Sequence, residues 1–175
     1  IQVGNADLST YNLAWWRNQC GAVMQEGYLF SDTIARNIAI SDDEPDIARI
    51  REAARIANIA DYIEALPLGY NTMIGQDGQG VSQGQRQRIL IARVVYKNPM
   101  FVFLDEATNA LDANNERAIT ENLASFYQGK TVIVVAHRLS TVRDADQIVV
   151  LDGGKIAETG THAELTARHG KYYEL

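Results

Sequence analysis

Two adjacent carboxylates, Asp105 and Glu106, are the residues of this chain whose type and position most directly suggest chemistry. They follow the apolar run Phe101-Val-Phe-Leu104, which predicts a strand buried on both faces. Ligands bind at the carboxyl ends of parallel strands, so acids in this position can hold Mg²⁺ and a nucleophilic water beside a nucleotide. The alternative is a core strand that ends in two solvated acids.

The elements that would position these acids alternate in type along the chain. Asp112 can cap a helix over residues 113–127, and Thr131–Val135 predicts a second strand buried on both faces that ends near His137. Glycines at 153 and 154 between two apolar runs predict a hairpin. Strand, helix and strand in this order predict a parallel sheet with right-handed crossovers, and therefore an α/β fold.

Residues 30–68 have helical patterns and lie between strand-like segments. The acids and the proline of residues 42–45 predict a helix start. A buried stripe follows at three- and four-residue steps, formed by Ile47, Ile50, Ala54 and Ala57. Residues 72–80 lack periodicity and predict a loop. An insertion of this kind is a small helical subdomain carried on an α/β core.

Ser82-Gln-Gly-Gln85 matches a capping box at the start of a helix that is predicted to run to Tyr96 and to end at Asn98-Pro99. The first turn of a helix has free N–H groups that can bind an anion, and Gly84 lets a phosphate approach the backbone. A capping box can also be purely structural, and the two interpretations are compatible.

The composition narrows the class of protein. The chain has 175 residues, 46% of them hydrophobic and 22% charged, and a net charge of -6. An acidic chain is a poor partner for nucleic acid, whose phosphates need a basic face. The lone Cys20 excludes an internal disulfide, and we interpret it as a small core residue. Because Ile1 is not a start residue, we expect the chain to be part of a longer protein.

In chain order, these segments resemble the motifs of the nucleotide-binding domain of an ABC (ATP-binding cassette) transporter. The matching motifs are the Q-loop at Gln25, the signature motif at residues 81–88, the Walker B strand at 101–106, the D-loop at 110–112 and the switch histidine His137. The resemblance runs from about Cys20 onward. It implies a P-loop NTPase (RecA-like) fold, with residues 1–29 and 97–175 in the sheet core and residues 30–96 in an inserted α-helical subdomain.

The resemblance also implies roles for individual residues and the cofactors ATP and Mg²⁺. Asp105 would hold Mg²⁺, Glu106 would be the general base toward water, and His137 would stabilise charge at the γ-phosphate. Gln25 would sense the γ-phosphate and Mg²⁺. The residues that would meet a nucleotide held by a second copy of the domain are Ser82, Gly84, Gln85 and, across the same interface, Asp112.

Some residues depart from the family pattern. Val81 replaces a leucine and Gln83 replaces a glycine of the signature motif. The family's phosphate loop, Gly-x-x-x-x-Gly-Lys-Ser/Thr, has no match before Gln25, and the tripeptide at 129–131 has the wrong spacing and enters a strand. We therefore expect this chain to be the C-terminal two-thirds of the domain. By itself it is predicted to bind ATP poorly and to hydrolyse essentially none, whereas the parent protein is predicted to be an ATPase.

The subtype that the residues resemble is an exporter. Residues 29–38, 72–78 and 136–141 are exporter-like, although Gln76 stands where a glutamate is usual. The implied partners are a second nucleotide-binding domain and the coupling helices of a transmembrane domain, at the cytoplasmic face of the inner membrane. Residues 82–85 and 113–116 favour bacterial peptide or bacteriocin exporters. The alternatives are a soluble cassette ATPase and a truncated module that binds a partner without turnover.

Overall fold

The computed structural model describes residues 1–75, 78 and 80–174. Contacts divide the chain into two units, residues 1–133 and residues from Val134 onward. The elements that begin in the first unit are β1 (Gln2–Val3), β2 (Ala6–Asp7), α1 (Leu13–Gln19), β3 (Cys20–Val23), β4 (Asp32–Thr33), α2 (Ile34–Ile38), α3 (Ile47–Ile56), α4 (Ala60–Glu64), β5 (Met73–Ile74), α5 (Gln83–Lys97), β6 (Phe101–Asp105), α6 (Ala113–Phe126) and β7 (Thr131–Val135).

The central sheet has the strand order β3-β6-β7. Strands β3 and β6 are parallel, with Val23 opposite Leu104, as the alternation of strands and helices predicts. Helix α5 packs closely on β3 because Gly21 has no side chain. An added Cβ there would lie 2.7 Å from Pro99 Cγ and 2.9 Å from Val94 Cγ1. Residues 89–92 and 94–96 of α5 are all buried, so this part of the helix is covered on every side by the core.

The strands differ in burial from the prediction. In β6, Val102 and Leu104 are buried while Phe101 and Phe103 are half-buried, so burial on both faces is only partial. In β7 the prediction was wrong, since Ile133 and Val135 are 50% and 53% exposed. Strand β7 is the last strand in the sheet order. An apolar sequence shows what a strand can bury, but not which element covers it.

Helix α3 begins later than the acidic cluster of residues 42–45 predicts. Its N-cap is Asp46, whose carboxylate accepts hydrogen bonds from the N–H groups of Ala48 and Arg49. Asp42 instead accepts a hydrogen bond from the Tyr96 hydroxyl. Ile47, the first member of the predicted stripe, is exposed, whereas the rest of the stripe is buried, namely Ile50, Ala54 and Ala57.

The predicted loop at residues 72–80 contains a short strand. Met73 and Ile74 form β5, which pairs antiparallel with β4. Two residues are too few to show a period, so this pairing with a distant segment leaves no pattern in the sequence. Gln76, one of the departures from the family pattern, lies outside the described residues.

The second unit has a small core of its own. Its elements are α7 (Leu139–Val142), β8 (Ile148–Asp152), β9 (Lys155–Gly160), α8 (His162–Arg168) and α9 (Lys171–Glu174). The predicted hairpin is confirmed, since Gly153 and Gly154 both have positive φ, as a tight turn between β8 and β9 requires. Its core cluster is Ile148, Val150, Leu165 and Tyr172. Across the described ranges of both units, no helix has the length and apolar character needed to cross a membrane.

Candidate functional site

The segment that follows β6, Glu106–Asp112, is called the acidic turn here. Glu106 leaves the strand with φ +49°, a left-handed conformation that costs a residue with a side chain about 1–2 kcal/mol. Within the turn, the N–H of Asn109 donates to the Glu106 carbonyl at 3.1 Å. The Asn109 side-chain amide donates to the Glu106 carboxylate. The surroundings therefore fix both the backbone and the carboxylate of Glu106, as is common where strained residues serve function.

The sheet register places Gln25 and the acids at one edge. Val23 lies opposite Leu104 in the parallel pair, and Gln25 and Glu106 each follow that pair by two residues. Carboxylate and amide oxygens are hard ligands of the kind Mg²⁺ prefers, and protein sites often supply only one or two carboxylates together with substrate phosphates. Asp105, Glu106 and Gln25 fit that chemistry. In the described part of the chain, no group of three or more His, Cys, Asp or Glu residues is placed to hold a metal by itself.

The start of α5 forms the predicted capping box. The Ser82 hydroxyl accepts from the Gln85 N–H at 3.2 Å, and the Gln85 side-chain oxygen accepts from the Ser82 N–H at 2.8 Å. Gly84 has a packing role here, because an added Cβ would lie 3.1 Å from the Ala110 carbonyl oxygen. The lack of a side chain at Gly84 thus allows α5 to approach the acidic turn as well as leaving space for a phosphate.

Gln87 is a residue of the site that sequence reasoning missed. Its side chain is in α5 and only 3% exposed. The amide nitrogen donates to the Glu106 carbonyl at 3.3 Å, and the amide oxygen accepts from the Ala110 N–H at 3.1 Å. Gln87 stands between Arg86 and Arg88 in the polar first half of α5, so the sequence gives no sign that it is buried. Its place within residues 81–88, the segment that resembles the signature motif, was the available signal.

Asp112 caps α6 at the end of the acidic turn. Its carboxylate accepts from the N–H groups of Asn114 and Asn115 and from the Asn115 side chain. The hydrogen bonds from Asn115 hold the pKa of this carboxyl below its usual range. Beside it, Arg88 donates to the Asn58 carbonyl at 2.7 Å and to the Asn115 side-chain oxygen at 3.2 Å. Burial lowers the pKa of the Arg88 guanidinium.

The segment that follows Gln25 is fixed by a second pair of polar residues. Asn37, 1% exposed, accepts from the Phe30 N–H at 2.9 Å and donates to the Phe30 carbonyl at 3.0 Å. Arg93 of α5 donates to the Asn37 carbonyl at 2.8 Å and to the Tyr28 carbonyl at 3.1 Å. Burial lowers the pKa of the Arg93 guanidinium. Sequence reasoning missed Asn37 and Arg93 too.

The structure therefore brings most of the predicted site residues together in the first unit. Asp105, Glu106 and Gln25 share an edge of the sheet, and the first turns of α5 lie against the acidic turn that ends at Asp112. His137 follows β7 in the second unit and is exposed. The role assigned to His137 stays a prediction.

A family model described as "ABC transporter" matches residues 1–109 of this chain. All 175 residues align at 48% identity with "ABC transporter B family member 13" of Arabidopsis thaliana. They also align at 47% identity over 176 positions with an "ATP-dependent lipid A-core flippase" of Alkalilimnicola ehrlichii. The chain spans 14% and 30% of the lengths of these two relatives.

The fold is similar to that of a solved structure titled "Structure of a bacterial Atm1-family ABC exporter with ATP bound". The TM-score is 0.91 at 42% sequence identity, over 96% of this chain and 30% of the other.

Proposed function

Because this chain belongs to the ABC transporter family, we propose that it is the ATP-hydrolysing domain of a membrane exporter. Its fold is the P-loop NTPase fold of ABC ATPases, with a parallel sheet and a helical insertion, so the predicted fold class is confirmed. The observation that carries the proposal is the placement of Asp105 and Glu106 at the end of β6, at the same sheet edge as Gln25.

The chemistry we propose is transfer of the γ-phosphoryl group of ATP to water. This reaction depends on positioning and charge neutralisation more than on covalent catalysis. Asp105 and Gln25 would hold Mg²⁺, which neutralises charge on the phosphate oxygens when bound. Glu106 would take the proton of the attacking water, and its carboxylate is already oriented by Asn109. His137 would stabilise the charge that develops on the γ-phosphate.

The start of α5 would bind a nucleotide held by a second copy of the domain. Ser82 and Gln85 fix the first turn through the capping box, which leaves the remaining N–H groups of that turn free for an anion. Gly84 would leave room for the phosphate, and Asp112 would act across the same interface. ATP would then join two copies head to tail.

The domain boundaries stay those predicted, with a core of residues 1–29 and 97–175 and a helical subdomain of residues 30–96. An exposed aromatic pair follows Gln25, formed by Tyr28 and Phe30 with ring centroids 5.1 Å apart. Exposed aromatic side chains on a fixed segment suit a docking surface. We propose that this surface receives the coupling helices of a transmembrane domain at the cytoplasmic face of the membrane.

The 175 residues by themselves are predicted to bind ATP weakly and to turn over essentially none, since no phosphate-loop sequence precedes Gln25 in them. Activity is therefore expected of the full-length protein.

Two cargo classes follow from different observations. Residues 82–85 and 113–116 favour peptides or bacteriocins, by their resemblance to bacterial peptide exporters. The 47% identity to a protein named for flipping lipid A-core favours an amphipathic lipid instead. ATP-dependent transport by vesicles containing the full-length protein separates the two, measured for a peptide as uptake into the lumen and for a lipid as movement between the leaflets.

The head-to-tail arrangement is tested by Ser82→Ala in the full-length protein, with Thr161→Ala as the matched control. Both substitutions remove the serine or threonine of a capping box, but Thr161 caps α8 in the second unit. Ser82→Ala is expected to weaken ATP-driven association of two copies more than it weakens ATP binding to one copy. Thr161→Ala is expected to change neither. Equal effects of Ser82→Ala on the two equilibria, measured by light scattering and nucleotide titration, would contradict the arrangement.

A further inference from the structure

One face of α5 lies along the acidic turn and contacts it at several points. At Gly84 the helix comes so close to the turn that an added Cβ would lie 3.1 Å from the Ala110 carbonyl oxygen. Gln87, three residues later, bonds to both Glu106 and Ala110. Residues three apart lie on the same helix face, so these contacts form one continuous seam.

The Gln87 amide joins the two ends of the acidic turn. Its nitrogen donates to the carbonyl of Glu106, and its oxygen accepts from the N–H of Ala110. Because a carbonyl can only accept and an N–H can only donate, these partners fix which way the amide points. Because Gln87 is only 3% exposed, water does not reach its amide, and losing either bond would leave a buried polar group without a partner.

The conformation that Gln87 holds is one that Glu106 does not favour by itself. Glu106 has φ +49°, whereas a residue with a side chain prefers the right-handed or extended regions. Its backbone would therefore relax to one of those regions unless its surroundings prevented this. The Glu106 carbonyl accepts from Gln87 and from the Asn109 N–H, and both bonds resist that relaxation. A rotation at φ would move the Glu106 carboxylate away from its present position.

We infer that Gln87 is a positioning residue for the general base. It holds Glu106 in the left-handed conformation and thereby aims the carboxylate at the attacking water. The inference rests on the proposed function, which assigns Glu106 as the base. Ser82 caps the helix that carries Gln87. Gln87 therefore links the helix start that would contact the second copy's nucleotide to the Glu106 carboxylate.

The experiment compares Gln87→Met and Gln87→Glu with the wild-type full-length protein in steady-state MgATP hydrolysis. Methionine keeps similar volume but makes neither hydrogen bond. Its kcat is expected to fall at least about tenfold while the KM for ATP stays within about threefold, because misplacing a catalytic group acts on the transition state. The control is Gln128→Met, an exposed glutamine after α6, whose kcat is expected to stay within about twofold of wild type.

Gln87→Glu gives a second readout, the pH dependence of kcat per folded molecule, with the folded fraction of the variant measured at each pH so that unfolding at high pH is not counted as lost activity. An ionised glutamate can accept from Ala110 but cannot donate to Glu106, whereas a protonated one can do both. Burial raises the pKa of such a carboxyl above its usual range. The ratio of its kcat to that of wild type is therefore expected to rise at least about threefold from pH 9 to pH 6, while the Gln87→Met ratio stays flat.

The outcomes distinguish a failure of the role of Gln87 from a failure of the proposed function. A wild-type kcat for Gln87→Met, or a flat pH ratio for Gln87→Glu, overturns the role of Gln87. If Gln87→Met does not fold, the pH ratio decides alone. Absence of MgATP hydrolysis in the wild-type protein, or full activity of Glu106→Gln, instead overturns the proposed function on which the inference rests.

Discussion

Two segments leave the same edge of the sheet, and α5 fixes both of them with polar side chains of different kinds. The acidic turn after β6 is held by the neutral amide of Gln87, which bonds to the backbone of Glu106 and Ala110. The segment after β3, residues 28–37, is held by the charged guanidinium of Arg93 and by Asn37. One helix thus holds two neighbouring segments, the acidic turn through a neutral amide and residues 28–37 through a charged guanidinium.

The difference shows how a buried polar group suits the segment it holds. Near the acidic turn, a neutral amide adds no charge beside Asp105 and Glu106, where the proposed reaction needs a carboxylate and Mg²⁺. Arg93 binds the other segment, where its guanidinium supplies N–H donors to two backbone carbonyls at once, those of Asn37 and Tyr28. The cost is desolvation, which lowers the pKa of its guanidinium.

The largest effect on stability is expected at the charged anchor. Arg93→Met removes the donors to the Asn37 and Tyr28 carbonyls and is expected to lower the free energy of unfolding by about 3 kcal/mol, since bonds to charged groups are the stronger ones. Urea denaturation of the 175-residue chain measures it. Arg86→Met, an exposed arginine of the same helix, is the matched control and is expected to change stability by less than about 0.5 kcal/mol. Equal effects of the two substitutions would contradict the anchoring role.

A smaller effect is expected at the end of the acidic turn, and it depends on pH. The hydrogen bonds to Asp112 lower its pKa in the folded protein, so they stabilise the fold above the unfolded pKa and are lost as the pH falls through the folded value. Asp112→Asn is therefore expected to reduce stability at pH 7, and this deficit is expected to shrink progressively as the pH falls below about 4. Urea denaturation at pH 7 and at about pH 3 checks it. Asp43→Asn, which removes the same charge from an exposed site, is the control. A deficit for Asp112→Asn that is the same at both pH values would exclude the assigned cause.

Much of the site could be predicted because its signals are local. Ser82 and Gln85 are three residues apart, so their capping box is readable from the sequence, and it is present in the structure. The same holds for the strand that delivers Asp105 and for the glycine pair at 153–154. In each case the residues that determine the structure are neighbours in the chain.

The anchors could not be predicted because their partners are distant. Gln87 bonds to a backbone group 19 residues away, and Arg93 to one 65 residues away. Arg93 stands in an apolar stretch of α5, which shows that its side chain needs a partner but not which carbonyl is that partner. Gln87 stands between two arginines, so the sequence does not show that it is buried at all. The predicted start of α3 was wrong for the same reason, because the Asp42 carboxylate accepts a hydrogen bond from Tyr96, 54 residues further along the chain.

The central claim is that Glu106 activates water for ATP hydrolysis. The most direct test is the kcat for MgATP hydrolysis by the full-length protein carrying Glu106→Gln, with ATP affinity measured alongside. Glu121→Gln, an exposed substitution of the same kind in α6, is the matched control. Loss of a general base predicts a fall in kcat of at least about a hundredfold with ATP binding retained and the control unaffected. A kcat near that of the wild-type protein would contradict the account.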